Sequence, residues 1–205
     1  MNEFIAKVES LSLDFFINLA YKLDKQSPNN QLLTTYGPLL EFAQRTKSKF
    51  DKAMLIGLAH MAYGWMPTMI QNIALEGKPS EWKKQITKGC IDSSFLYDVT
   101  RLTNDSIVGA SKLLHFINPK LYPIYDSRVY KAILGEEKHN LSKDIDNYIS
   151  YTNKLRTLVT DRKNITKISR IEKELVRKNF IPVKCSKIRV LEVCLYASAN
   201  RISSK

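Results

Sequence analysis

The chain has 205 residues and a mass of 23.6 kDa, with 44% hydrophobic and 25% charged residues, as is typical of soluble globular proteins. Its 7 Gly and 7 Pro disfavour a fold of many strands and turn-rich loops. No apolar run approaches the roughly 18 residues of a membrane span, and the N-terminus lacks signal-peptide character. Cys90, Cys185 and Cys194 fit neither a disulfide framework nor a metal knuckle. We therefore expect a cytoplasmic protein with no membrane partner and no metal site.

The net charge of +12 is distributed unevenly along the chain. Residues 1–77 hold 7 bases and 7 acids, which leaves 25 of the 32 bases and 13 of the 20 acids for residues 78–205. Clustered Lys and Arg favour binding to a polyanion, and we predict a nucleic acid as the partner. A solvated helical face is the alternative. The charge boundary predicts a neutral lobe, 1–77, and a basic lobe, 78–205, with one compact domain as the alternative.

Apolar residues recur at steps of three and four along nearly the whole chain, which predicts helices. No window alternates as a strand would. The sequence therefore predicts an all-α fold of about ten helices. Their predicted ranges are Phe4–Lys25, Leu32–Arg45, Asp51 towards Ala74 with an interruption at Pro67, Ser80–Lys88, Phe95–Leu102 after a cap at Ser93, Ser111–Ile117, a helix capped by Asp126 through Leu134, Leu141–Val159, Ile165–Lys178 and Ser186–Ala199.

The segment from Val108 to Val129 holds the densest group of candidate functional residues. A turn at Gly109–Ser111 would point backbone N–H groups outward at a helix N-terminus, which is an anion site. Lys112 stands just inside that helix. Asp126 follows a loop of prolines and aromatic residues that would hold it rigidly at the next helix start. The common phosphate-binding glycine motifs and the nucleophile elbow are absent from the sequence.

This order resembles the helix-hairpin-helix family of DNA glycosylases, which joins a hairpin, G-x-G-x-K-T-A, to V-D-T-H-[VI] at the next helix start. The stretch Ile124–Val129, I-Y-D-S-R-V, is similar to the second element, with Asp126 at the position of the catalytic aspartate. Ser127 replaces the threonine and Arg128 the histidine. The hairpin keeps one glycine, and Lys112 stands one position after the Schiff-base lysine of the family, where strict register places a serine.

The resemblance implies a two-lobed helical fold with a helix-hairpin-helix-like element. It implies an N-glycosylase that flips a modified or damaged base out of duplex DNA and leaves an abasic site. Asp126 would stabilise the sugar oxocarbenium ion or activate the attacking water, and Lys112 is the candidate nucleophile of an additional lyase step. No cofactor and no obligatory protein partner are implied.

Further residues are assigned to DNA and to the flipped base on this basis. Hairpin amides would hold the phosphate beside the flipped nucleotide, and late basic helices would follow the backbone. The expected DNA contacts are Gly109, Ala110, Ser111, Ser127, Arg128, Lys154, Arg162, Lys163 and Lys167. A flat base can stack on aromatic side chains. The expected base pocket consists of Tyr63, Trp65, Met66, His115 and Tyr125.

Each assignment has a structural alternative. Asp126 can be an N-cap alone, Lys112 a phosphate contact or a solvated residue, His115 a core histidine, and the aromatic cluster before Pro67 part of a kinked core helix. The alternative functions are a non-catalytic DNA-binding protein and a helical adaptor for an acidic protein. The excised base is left open among oxidised purines, alkylated bases and hypermodified phage bases, so repair and antiviral defence are both open.

Overall fold

The computed structural model describes residues 2–26, 31–66, 68–75, 77–138, 140–181 and 185–202. The fold is all-α, and these residues contain no strand. Within these ranges, no helix combines the length and the apolar character that a bilayer span requires. The helices are α1 (Glu3–Glu9), α2 (Leu13–Lys22), α3 (Gln31–Thr34), α4 (Tyr36–Thr46), α5 (Lys52–Trp65), α6 (Pro79–Lys88), α7 (Ser93–Arg101), α8 (Ile107–Ile117), α9 (Ser127–Leu134), α10 (Ile145–Thr160), a 3₁₀ helix (Arg162–Asn164), α11 (Ile165–Arg177) and α12 (Lys187–Ile202).

Two helices begin at the carboxylates that the sequence predicts as caps. Asp51 Oδ1 accepts a hydrogen bond from Met54 N at 2.8 Å and begins α5. Asp126 Oδ1 accepts from Arg128 N at 3.1 Å and from Val129 N at 3.0 Å and begins α9. These bonds satisfy backbone N–H groups that have no partner within the first helical turn. Both predicted caps are confirmed.

Other predicted boundaries are corrected. The first predicted helix is interrupted, because Ser12 Oγ accepts from Phe15 N at 3.3 Å and begins α2. Helix α5 ends at Trp65, and residues 68–75 are not helical, so the continuation towards Ala74 is wrong. Pro79 occupies the first turn of α6, where a missing N–H does no harm, so the N-cap is Lys78 instead of Ser80. Pro67 lies outside the described residues.

The start of α8 differs most from the prediction. The helix begins at Ile107, four residues before Ser111, and Ser106 is its N-cap. Gly109 N donates to Ser106 Oγ at 3.4 Å, and Ala110 N donates to Ser106 O at 2.9 Å. The chain turns directly before this cap, at Asn104 and Asp105, which have left-handed φ values of 54° and 52°. Asn and Asp tolerate this conformation better than other side chains. The predicted glycine turn at Gly109–Ser111 is therefore wrong.

One buried apolar core includes residues from both sides of the charge boundary at Gly77. Helix α1 packs against α9 and α10, and α2 packs against α11 and α12. Helices α4, α5 and α7 surround α8, which is buried along nearly its whole length. This packing brings the N-terminal ends of α8 and α9 to the same region of the molecule, beside the C-terminal end of α5.

Gly109 is required by a close helix contact. A Cβ atom at this position would lie 2.6 Å from Tyr63 Oη and 2.9 Å from Thr103 Cβ. We expect Gly109→Ala to lower the free energy of unfolding by about 1–3 kcal/mol, because the aromatic ring and the Thr103 backbone must both shift. Gly57→Ala in α5 is the matched control, since apart from the adjoining backbone of its own helix no heavy atom lies within 4 Å of its added Cβ. The free energy of unfolding of Gly57→Ala should be unchanged or increase by about 0.5–1 kcal/mol. Urea unfolding of both variants measures the difference, and equal stabilities would contradict the contact.

Candidate active site

A cavity of about 720 Å³ lies where α8 and α9 begin. Its size is within the range of about 300–1,000 Å³ that is usual for ligand pockets. Residues from α5, α8, α9, α12 and the connecting loops form its walls. They are Tyr63, Trp65, Met66, Thr68, Met69, Gln71, Asn104, Ser106, Val108, Gly109, Lys112, Asp126, Ser127, Arg128, Lys138, Leu141, Ser142 and Tyr196.

Asp126 both caps α9 and lines the cavity. Both of its hydrogen bonds to the α9 backbone go to Oδ1. The preceding loop is anchored, because Tyr125 is buried and its backbone N donates to Ser111 Oγ at 3.1 Å. Ser111 Oγ also donates to Val108 O at 2.8 Å, inside α8. The capping role and a chemical role for Asp126 are therefore not alternatives, since the cap fixes the carboxylate at the cavity wall.

Lys112 shares this cavity with Asp126 although its side chain is only 7% exposed. Burial lowers the pKa of the Lys112 amine, and the carboxylates of Asp126 and Glu192 act in the opposite direction. Desolvation disfavours the charged form of a lysine, and the neutral amine is the nucleophilic form. The cavity thus holds both a buried lysine with a lowered pKa and a carboxylate.

Aromatic side chains of α5 and α12 are part of the cavity lining. Trp65 packs edge-on against the buried Phe116 with ring centroids 5.6 Å apart, and it also lines the cavity. The Arg128 guanidinium lies 4.6 Å from the ring centroid of Tyr196. Tyr63 Oη donates to Thr103 O at 2.6 Å, and burial raises the pKa of this phenol to about 12. These rings offer flat apolar surfaces next to charged groups.

The loop beside the cavity is held by one side chain. Asn104 Oδ1 accepts from Gln71 N at 2.8 Å and from Asn72 N at 2.9 Å, and Asn104 Nδ2 donates to Met69 O at 3.0 Å. The Met69 side chain is nevertheless 83% exposed. Three hydrogen bonds thus fix the backbone around an apolar side chain that projects into solvent at the cavity wall.

Two predicted pocket residues belong to the core instead. His115 is fully buried, with Nε2 2.7 Å from Tyr36 Oη and Nδ1 2.7 Å from Tyr122 O. Burial lowers its pKa to about 3, so the ring is neutral, and Nδ1 carries the proton that it donates to the carbonyl. Tyr125 is also fully buried and packs against Phe4, with ring centroids 5.9 Å apart. Their assignment to the base pocket is wrong, because other segments of the chain cover both rings.

The predicted phosphate clamp is also rearranged. Ala110 and Ser111 are fully buried inside α8, so their backbone N–H groups belong to the helix and cannot point outward. Gly109 lines the cavity, as do Ser127 and Arg128. The assignment of Ala110 and Ser111 to DNA contacts is therefore wrong, because the helix starts one turn earlier than the glycine suggests.

The late basic residues lie away from the cavity walls. Lys154 donates to the Glu9 carbonyl, and Lys167 pairs with Asp14 at 2.8 Å. Arg162 and Lys163 are exposed on the 3₁₀ helix. No residue of this helix, of α10 or of α11 lines the described cavity. Their contact with a DNA backbone stays a prediction for a surface separate from the cavity.

The chain matches no family model, no curated protein and no solved structure. The site is therefore interpreted from its own geometry.

Several lining residues are not among those selected from the sequence. Lys138 binds Asp144 through Nζ at 2.7 Å and lines the cavity. Asn104 carried a usable signal, since Asn–Asp–Ser is typical of a turn before a helix cap. The sequence contains no signal that identifies Met69 or Tyr196, because only the packing of distant segments brings them to the cavity.

Proposed function

We propose that the protein is a DNA N-glycosylase that removes a modified or damaged base from duplex DNA. The observation that carries the proposal is the convergence of Asp126, Lys112 and aromatic side chains in one cavity. A flat base can stack on the ring of Trp65 or Tyr196. The cavity also holds the cationic group of Arg128, which favours an anionic partner.

The hydrolytic step needs a carboxylate beside the sugar. The bond between C1′ and the base nitrogen breaks, and the base leaves with the electron pair while C1′ becomes cationic. Asp126 stabilises this positive charge. Water then adds to C1′ and gives up one proton, and the departing base gains one, so the products are the free base and an abasic sugar.

Lys112 adds a second step at the same carbon. Its neutral amine attacks C1′ of the opened abasic sugar and forms an imine with release of water. The imine permits loss of the 3′ phosphate by β-elimination, which cleaves the strand. The low exposure of Lys112 and its lowered pKa support this role.

A flipped nucleotide leaves a gap in the duplex that must be filled. Met69 is suited to fill it, because its exposed apolar side chain is mounted on a loop held by Asn104. Apolar side chains of this size wedge between base steps in other DNA complexes. The proposal therefore assigns Met69 to the DNA stack and the cavity to the flipped base.

Met69→Ala should weaken binding to a duplex that contains a tetrahydrofuran abasic residue by about tenfold, because the gap is no longer filled. Affinity for an intact duplex should change much less. Phe42→Ala is the matched control, since Phe42 is an exposed apolar residue of α4 outside the cavity and away from the predicted DNA contacts. Fluorescence anisotropy with both duplexes measures the effect. Equal losses in the two variants would exclude a wedge role for Met69.

A base-release assay tests the proposed function directly. The panel contains duplexes with oxidised and alkylated bases and genomic DNA from phages with hypermodified bases, each with and without alkali. Release of a base identifies the substrate. Two probe duplexes extend the test, one with a pyrrolidine residue, whose protonated ring nitrogen mimics the cationic sugar, and one with the neutral tetrahydrofuran residue. Tighter binding of the pyrrolidine duplex is expected. Salt-sensitive DNA binding with no release and no such preference would indicate a non-catalytic DNA-binding protein.

A further inference from the structure

A second, much smaller cavity adjoins Asp126. Its volume is about 10 Å³, and Asp126, Glu192, Arg189, Tyr196 and Trp65 are among its lining residues. This volume is close to the minimum that holds one water molecule. Asp126 and Tyr196 also line the large cavity, so they form part of the wall between the two spaces.

A buried ion pair of α12 stands at the small cavity. Arg189 is 4% exposed and Glu192 is fully buried, and Arg189 Nη1 donates to Glu192 Oε2. The guanidinium also lies 4.2 Å from the ring centroid of Tyr36. Arg189 Nε and Glu192 Oε1 remain without a hydrogen-bond partner among the described residues. Buried polar atoms of this kind normally have a partner, and an ordered water is the usual one.

We propose that Glu192 is a positioning residue for Asp126, and that one water molecule in the small cavity connects the two carboxylates. Arg189 holds Glu192 in place, and the free Oε1 binds the water. The second carboxylate adds a negative charge close to Asp126, at the small cavity that both residues line. The inference deepens the proposed function and rests on it for the part that concerns catalysis.

The pair of carboxylates has a consequence for cation binding. Burial raises the pKa of Glu192 to about 7, Arg189 lowers it, and the charge of Asp126 raises it. A cationic sugar in the large cavity favours the ionised form of Glu192 and so lowers its pKa. Binding of a cation must then release a proton from Glu192 near neutral pH. By linkage, the affinity for the cation rises as the pH rises through about 7.

The ratio of affinities for the pyrrolidine and tetrahydrofuran duplexes isolates this effect, because both duplexes make the same phosphate contacts. We expect the ratio to rise through about pH 7 in the wild-type protein, and Glu192→Gln to lower it about tenfold and remove the rise. Glu174→Gln is the matched control, since Glu174 is a buried, ion-paired carboxylate of α11 outside both cavities. A ratio in Glu192→Gln that equals the control overturns the inference.

Other groups that interact electrostatically with Glu192 require their own control. They are Arg189, Asp126, Lys112, Tyr36, Tyr151, Tyr196 and Cys185. Burial raises the pKa of each of these tyrosines and of Cys185, which removes them from the neutral range. Lys112 has a lowered pKa, and its loss of positive charge with increasing pH also increases the affinity for a cation. The pH dependence of the affinity ratio is therefore measured again in Lys112→Met. A ratio that still rises with pH, and no longer rises when Glu192→Gln is added, supports the inference.

A measurement on the protein alone separates this inference from the proposed function. Carbon NMR of protein labelled at the glutamate carboxyl carbon follows the titration of Glu192, with Glu192→Gln as the assignment reference. Asp126→Asn should lower the midpoint of that titration, because a neighbouring anion is removed. An unchanged midpoint overturns the connection whatever the DNA results are. A lowered midpoint without any preference for the pyrrolidine duplex would reject the glycosylase function and keep the coupling.

Glu192→Gln leaves the Arg189 charge buried without its partner, which can destabilise the fold. The double variant Arg189→Met/Glu192→Leu removes both charges and keeps the side-chain volume. It should fold, lose the pH-dependent rise, and bind the tetrahydrofuran duplex like the wild type. A folded double variant that retains the rise overturns the inference as well.

Discussion

Asp126→Asn is expected to reduce base release by about 10²–10⁴-fold while binding of the tetrahydrofuran duplex is retained. Asparagine is as good an N-cap as aspartate, so the hydrogen bonds to Arg128 N and Val129 N persist and α9 stays in place. The change removes only the negative charge that faces the cationic sugar. The preference for the pyrrolidine duplex should fall by about tenfold or more for the same reason.

Asp51→Asn is the control for this experiment. Asp51 caps α5 in the same way and lies outside both cavities, so its substitution tests the loss of a capping charge alone. Single-turnover release and equilibrium binding are measured for both variants. Equal release by Asp126→Asn and Asp51→Asn would mean that Asp126 is an N-cap without a chemical role.

Covalent trapping on DNA that carries an abasic site is expected for the wild-type protein and is expected to be abolished in Lys112→Met. Borohydride reduces the imine between Lys112 and C1′ to a stable bond, which is visible as a protein–DNA complex on a denaturing gel. Trapping should increase with pH and reach half of its maximum below 10.5, the ordinary lysine value, because burial lowers the pKa of Lys112. Methionine has a similar shape, so the packing of α8 is preserved.

Lys131→Met is the matched control, because Lys131 is a lysine of similarly low exposure that pairs with Glu137 and does not line the large cavity. Lys131→Met should trap like the wild type. If Lys112→Met retains trapping, another amine forms the imine. If the wild type forms no covalent complex while it releases a base, Lys112 contributes only an electrostatic interaction and forms no imine. The enzyme is then a glycosylase without the lyase step.

The helical architecture and half of the site could be predicted because they depend on local signals. The place of Asp51 and Asp126 before apolar repeats predicts them as caps, and a cap fixes the carboxylate wherever the helix packs. Trp65 stands at the end of α5, where side chains meet loops and cavities, whereas Lys112 lies in the middle of α8. Such signals use spacings of three to four residues, which the sequence displays directly.

The remaining features depend on contacts between distant segments. Gly109 looked like a turn residue, but its lack of a side chain serves the approach of Tyr63 and Thr103. His115 lies one turn beyond Lys112 on α8, yet Tyr36 and a main-chain carbonyl cover it. The Arg189–Glu192 pair was visible only as two charges in an apolar helix. No local pattern predicts that this pair lines the same small cavity as Asp126.

The packing of the first helices against the last also determines when the protein can fold. Phe4 stacks on Tyr130 with ring centroids 5.1 Å apart, and the buried Lys178 donates to the Ala20 carbonyl, 158 residues earlier. During synthesis, α1 and α2 leave the ribosome long before these partners exist. Their apolar faces therefore remain unburied and accessible to chaperones until α9 to α12 emerge. A fold with such distant contacts should acquire its core late and more slowly than a bundle of sequential helices.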